Sequence, residues 1–218
     1  AMDEAETGGL TIAGVSLDTL QLGVESEEFE TSSRDEVAAV AERLAAQAQR
    51  QLLLHTEALS PEIYDRAGFL EAVRGFAGRH SQTRFLILIQ DSRQAVQRGH
   101  RLIELSRQLG STIEFRRPAH EYRQFHECFL LADSVGYLHR RLPGRYEGSA
   151  GFNSPGRMAD WEKYFMEVWE RSEHDLELKR PHLQPGDIEF CFGHTPDLPA
   201  ATGRDVRTTA TPGYGPTG

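Results

Sequence analysis

His126, Cys128 and Asp133 fall in one short run, His126-Glu127-Cys128-Phe129-Leu130-Leu131-Ala132-Asp133, and are residue types from which a chemical site is built. A histidine serves as nucleophile or proton carrier, a thiol as nucleophile, a carboxylate as base or orienting partner. On an extended strand residues i and i+2 project to the same side, so His126 and position 128 would face one pocket together. Each residue also has a plain structural reading. His126 reads as a partly buried strand histidine, and Cys128, flanked by Phe125, Phe129 and Leu130, as a small core residue that stays a neutral thiol. Asp133 reads as the aspartate of a tight turn. His120 and His126 form no recognised ligand spacing, and Cys128 with Cys191 makes no disulfide framework, so neither a metal nor a cofactor is expected. Gly-x-Gly-x-x-Gly, phosphate-loop and Gly-x-Ser-x-Gly motifs are absent.

The elements that must position these residues alternate regularly. Ser33 with Glu36 forms a capping box ahead of a helix whose apolar positions Val37, Val40, Ala41, Leu44 and Ala48 recur at helical spacing. Leu52 to His55 reads as a buried strand. Ser60-Pro61 opens a helix with Ile63, Phe69, Leu70 and Val73 on its core face. Arg84 to Gln90 is apolar on both faces, as central strands covered by helices are. Asp91 or Ser92 caps a helix running through Val96, Ile103, Leu105 and Leu109 to Gly110, and Thr112 to Phe115 follows as a strand. Phe125 to Ala132 and Val135 to Arg140 are two further strands joined tightly at Asp133-Ser134. Ser154-Pro155 opens a last helix whose stripe Met158, Trp161, Phe165, Val168 and Trp169 reads as core. The alternation predicts an α/β domain with a mixed, mostly parallel sheet flanked by helices. Three segments are expected: an acidic N-terminal extension over residues 1–28, the domain over 29–180, and a Pro/Gly/Thr-rich C-terminal tail over 181–218, with Ile188 to Phe192 as its apolar stretch.

A chain of 218 residues with 26% charged and 39% apolar residues can bury a real core. No apolar run approaches the ~18 to 20 residues of a spanning helix, and no basic region followed by an apolar run opens the chain, so a cytoplasmic protein without membrane contact is expected. Residues 1–36 hold ten acids and one base, Arg34, and so carry the whole net charge of −9. Between Arg74 and Arg123, by contrast, ten arginines face Asp91, Glu104, Glu114 and Glu121, a local excess of +6. The expected reading is the solvated surface of two helices; a nucleic-acid-binding patch is the minor alternative.

The ordered set of pieces resembles the phospholipase D superfamily, in particular its small single-motif nucleases, over about Phe29 to Ser172. It is carried by Leu59-Ser60-Pro61-Glu62-Ile63, the strand Phe85 to Ile89, the His-x-Lys-x-x-x-x-Asp signature placed at 126–133, and the ending Phe165-Met166-Glu167-Val168-Trp169. A loose Gly-Ser-x-x-Asn follows as Gly148-Ser149-Ala150-Gly151-Phe152-Asn153. The resemblance implies that His126 and Asp133 belong to the catalytic motif, with His126 attacking phosphorus. It also implies that a motif lysine neutralises the phosphoryl oxygens and that a second histidine protonates the leaving group. One motif per chain implies two chains per active site, hence a homodimer. Here Cys128 replaces the lysine, with neither charge nor reach. Arg140 or Arg141 on the neighbouring strand is the candidate substitute, and Cys128, Ser149 and Asn153 complete the implied phosphate- or ligand-binding set. Losing one such charge-assisted contact costs on the order of 10² to 10³ in rate. The expectation is therefore a degenerate, non-catalytic member serving in binding, regulation or assembly; the alternative is a dimeric phosphodiesterase or nuclease using His126. The chain is also similar to an uncharacterised bacterial domain that occurs beside acetyltransferase domains, which implies such a domain as partner. An arginine count of 22 against two lysines agrees with a high-GC bacterial source.

Overall fold

The computed structural model describes residues 10–175 and Leu178. The tail expected over 181–218, with its apolar stretch and Cys191, lies outside the described residues. The acidic segment is built into the domain from residue 10 onward. Strands β1 (Thr11–Ile12) and β2 (Val15–Ser16) form a small antiparallel ladder, and β3 (Glu28–Thr31) joins the main sheet. Ile12, Leu17 and Leu20 are buried in the same cluster as the first helix, α1 (Arg34–Gln47). Arg43 of that helix donates to the carbonyls of Asp18 and Leu20 at 2.8 and 3.2 Å.

Helix α1 starts where its capping box predicts: Ser33 Oγ accepts from the Glu36 amide, and the Glu36 carboxylate accepts from the Ser33 amide. Then follow β4 (Gln51–Thr56), α2 (Pro61–Tyr64), α3 (Ala67–Ala77), β5 (Arg84–Ile89), α4 (Arg93–Gln97), α5 (Arg101–Gln108) and β6 (Ile113–Arg117). The two helices expected from residues 60 and 91 are each broken in two. In the second the break is at Gly99, whose φ of 66° is left-handed backbone that glycine adopts without steric cost. After β6 come β7 (Cys128–Ala132), β8 (Gly136–Arg140), β9 (Gly148–Gly151), α6 (Pro155–Glu170) and β10 (Glu173–His174).

The eight-stranded sheet has the order β10-β6-β5-β4-β7-β8-β9-β3. Its mixed character is as expected, but the balance differs: only β4–β5 and β5–β6 are parallel, and the other five pairings are antiparallel. Parallel pairing needs a helical crossover, and β7, β8 and β9 follow one another without one. Strands β3 and β9 escape a reading by apolar runs because Glu-Phe-Glu-Thr and Gly-Ser-Ala-Gly offer no such run; β3 is a strand because it pairs with β9, and β9 because it lies between β8 and β3.

Alternation along the strands divides the core. Leu52, Leu54, Phe85, Ile87, Ile89, Leu130, Ala132 and Leu138 pack with α1, α3 and α5, whereas Leu53, Leu86, Leu88, Phe129, Leu131 and Tyr137 pack with Met158, Phe165 and Val168 of α6. Each large side chain so buried contributes about 1.5 to 3 kcal/mol. The last-helix stripe is core, as its spacing predicts. No helix among the described residues is long and apolar enough to cross a membrane.

Candidate functional site

The parallel strands β4, β5 and β6 end at Thr56, Ile89 and Arg117, and the antiparallel strands reach the same end at Cys128, Arg140 and Gly148. This carboxyl rim therefore brings His126, Cys128, Arg140, Arg141 and Ser149 to one end of the sheet. It does not bring Asp133 or Asn153, which follow the far ends of β7 and β9. Asp133 instead caps the start of β4: its carboxylate accepts from the amides of Gln49, Arg50 and Gln51 at 2.6, 2.7 and 3.0 Å. That pairing supports the left-handed backbone of Asp133 and Ser134, with φ of 51° and 58°. Asn153 donates to the Val24 carbonyl and the Ser26 hydroxyl, both at 3.3 Å.

The strand expected from Phe125 begins only at Cys128, so His126 and Cys128 do not project together from one strand. His126 lies on the preceding loop, exposed, with Nδ1 3.0 Å from Glu57 Oε2. The loop is tied to the ends of β4 and β5: Gln90 Nε2 donates to the Phe125 carbonyl at 2.6 Å, and the Asp91 amide donates to the Glu57 carbonyl at 2.8 Å. Cys128 points inward and is 2% exposed, its sulfur 3.8 Å from Thr56 Oγ1. Arg140, its cross-strand partner, is equally buried; it donates to the Arg145 carbonyl at 3.1 Å and lies beside the Tyr64 phenol, which burial pushes up. Among the described residues no carboxylate pairs with Arg140. Of the two arginines expected to replace the lysine, Arg140 is thus across from position 128 but inside the protein, whereas Arg141 follows the end of β8 and is exposed.

A second histidine–carboxylate pair shares the rim, and reading by motif misses it. His139 on β8 places Nε2 2.7 Å from Glu127 Oε2 and stacks on Trp161 of α6 with ring centroids 4.5 Å apart. It lies at a cleft of about 640 Å³ lined also by Arg141, Glu147, Ser149 and Arg157, with Ser149 directly opposite it in register. The available signal is alternation: Tyr137 and His139 share the face whose other members are aromatic or aliphatic, where a polar ring needs a partner. Beneath this pair His55 is fully buried among Phe125, Phe129 and Tyr164. Its Nδ1 donates to the Glu127 carbonyl at 2.8 Å, and burial lowers the imidazole to about 4, which keeps it neutral. Among the described residues no three His, Cys, Asp or Glu side chains converge as a metal site.

Residues 33–180 match a family model described as a domain of unknown function (DUF7931). No curated protein matches the sequence. Among solved structures, TrmBL2, an archaeal chromatin protein whose structure shows a novel mode of DNA binding, has a TM-score of 0.52 at 16% identity over 73% of this chain. The match spans a little over half of that protein, 57% of its length. NucT from Helicobacter pylori has a TM-score of 0.50 at 7% identity, over 69% of this chain and 100% of its own. Nuc from Salmonella typhimurium, a phospholipase D family member, has a TM-score of 0.47 at 13% identity, over 69% of this chain and 99% of its own. At such identities the likeness is one of fold alone, and the fold class is the mixed α/β, phospholipase D/nuclease-like one expected from the sequence.

Proposed function

The chain belongs to the DUF7931 family, and from that premise we propose that it is a non-catalytic binding domain on a phospholipase D-like scaffold, with its ligand received at the carboxyl rim beside His126. The observation that carries this reading is the fate of position 128. Attack of an imidazole on phosphorus builds negative charge on the phosphoryl oxygens, and a positioned cation must meet it. Cys128 brings no cation and is 2% exposed, and Arg140 across from it is buried and engaged with the Arg145 carbonyl. His126 is thus an open side chain on a loop with no motif cation next to it. The test is turnover of bis(p-nitrophenyl) phosphate and single-stranded DNA by the native protein and by His126→Ala. Neither protein should exceed the buffer rate; hydrolysis that disappears in His126→Ala overturns the reading.

A second reading, a phosphodiesterase assembled from two copies of the chain, is favoured by one detail. Glu57 engages Nδ1 of His126, an arrangement that orients the ring and leaves Nε2 for a substrate. It requires a homodimer in which two His126 side chains meet across a two-fold axis. Sedimentation at micromolar concentration tests it, and a monomer removes it.

A further inference from the structure

Cations missing from position 128 occur elsewhere on the rim. At the carboxyl ends of β5 and β6 an open cleft of about 360 Å³ is lined by Gln90, Asp91, Arg93, Arg117 and Arg123. Its three guanidiniums come from three places in the chain: Arg93 opens α4, Arg117 ends β6, and Arg123 follows the 3-10 turn His120–Tyr122. They differ in how they are engaged. Arg93 takes both carboxylate oxygens of Asp91, at 2.9 and 2.7 Å, and this pairing holds Asp91 down to about 2. Arg117 is braced from behind, its Nη2 3.2 Å from both oxygens of the buried Asp175, which also accepts from Ser92 Oγ at 2.6 Å. The Nε of Arg117 is itself buried and has no hydrogen-bond partner among the described residues. Arg123 is exposed and forms no ion pair among the described residues.

Open α/β sheets receive ligands in the crevice beyond the carboxyl ends of their strands. A guanidinium presents a planar fork of donors that meets phosphate oxygens two at a time, and a braced guanidinium loses little freedom in doing so. The cleft also adjoins the His126 segment, because Gln90 holds the Phe125 carbonyl and the Asp91 amide holds Glu57. We propose that this cleft is a phosphate-binding subsite, in which Arg123 and the braced Arg117, with Arg93 at the margin, take the phosphate group of a ligand that extends along the rim toward His126. The subsite rests on the binding-domain reading and gives that reading its ligand class.

The test is calorimetric titration of the full chain with inorganic pyrophosphate and, separately, with a short single-stranded oligonucleotide. Arg123→Gln should weaken pyrophosphate binding about tenfold or more, since it removes a charge-assisted contact. Asp91→Asn should strengthen it several-fold by removing a competing carboxylate and releasing Arg93. Arg50→Gln, at the opposite end of the sheet, should change nothing. Arg117→Gln takes a guanidinium away from the buried Asp175 and risks misfolding, so the exposed Arg123 carries the decision. Oligonucleotide binding with the same Arg123 dependence and a steep loss with salt assigns the phosphate to nucleic acid; pyrophosphate binding alone assigns it to a small phosphate ester. Pyrophosphate binding that Arg123→Gln leaves intact overturns the subsite but not the binding-domain reading. If neither probe binds, the phosphate assignment is overturned. The binding-domain reading itself falls only to His126-dependent hydrolysis, a separate measurement.

Discussion

Two histidine–carboxylate pairs stand at the same end of one sheet, and their surroundings are opposite. His126 and Glu57 meet between loops with side chains 55% and 40% exposed. His139 projects from the hydrogen-bonded strand β8, 12% exposed, with its ring on Trp161 and its carboxylate partner just before the start of the adjacent strand. An exposed pair is solvated, screened by salt and contributes little to stability, which leaves its imidazole available to a ligand. A pair fixed by a strand and an aromatic ring belongs to the wall of the fold. The comparison shows that identical side-chain chemistry takes its role from the rigidity and dryness of the backbone that presents it.

The sharpest way to break this contrast is to remove the wall. Phe129 is 1% exposed and stacks on both His55 and Trp161, so Phe129→Ala should cost about 3 to 5 kcal/mol in urea unfolding. A loss below about 1 kcal/mol would show that the aromatic layer does not support the His139 side. Next in size is an acid effect confined to that side. His55 titrates near its ordinary 6.5 when unfolded and at about 4 when folded, because burial disfavours the imidazolium. The unfolded chain therefore binds the proton first. The stability contributed by neutral His55 is complete above about pH 6.5 and is lost as pH falls toward 4, about 3 kcal/mol in all. His55→Leu should flatten the stability profile across that window, and an unchanged slope counts against the assignment. The smallest effects set the two pairs side by side: Glu127→Gln should cost about 1 kcal/mol, while Glu57→Gln should stay within about 0.5 kcal/mol. Equal losses in thermal denaturation would erase the distinction.

Much of the architecture is legible from local pattern. The reciprocal Ser33–Glu36 cap, the two-sided apolar run at Arg84–Ile89 and the stripe of α6 each state an element's type and its buried face, because helix and strand periods follow from backbone geometry alone. The rim is legible only in fragments. Arg141 and Ser149 are reached through the motif, whereas His139, Glu57 and the Arg93–Arg117–Arg123 cleft follow no motif spacing. Reading the strand three residues too early, at Phe125, also carries an error of side: it sets His126 and Cys128 in one pocket, while the true start leaves one outside and the other in the core.

The amino-acid sequence by itself determined that helices and strands alternate, that the last helix buries an aromatic stripe, and that a histidine, a thiol and a carboxylate share the short run from His126 to Asp133. Only the tertiary structure decided that His126 and Asp133, seven positions apart, serve opposite ends of a sheet, and that Glu127 meets His139 while the scattered arginines share a cleft. The reason is range. Periodicity and capping act over a few neighbouring residues, whereas strand order and register are set by long-range pairing, and these choose which distant side chains become neighbours.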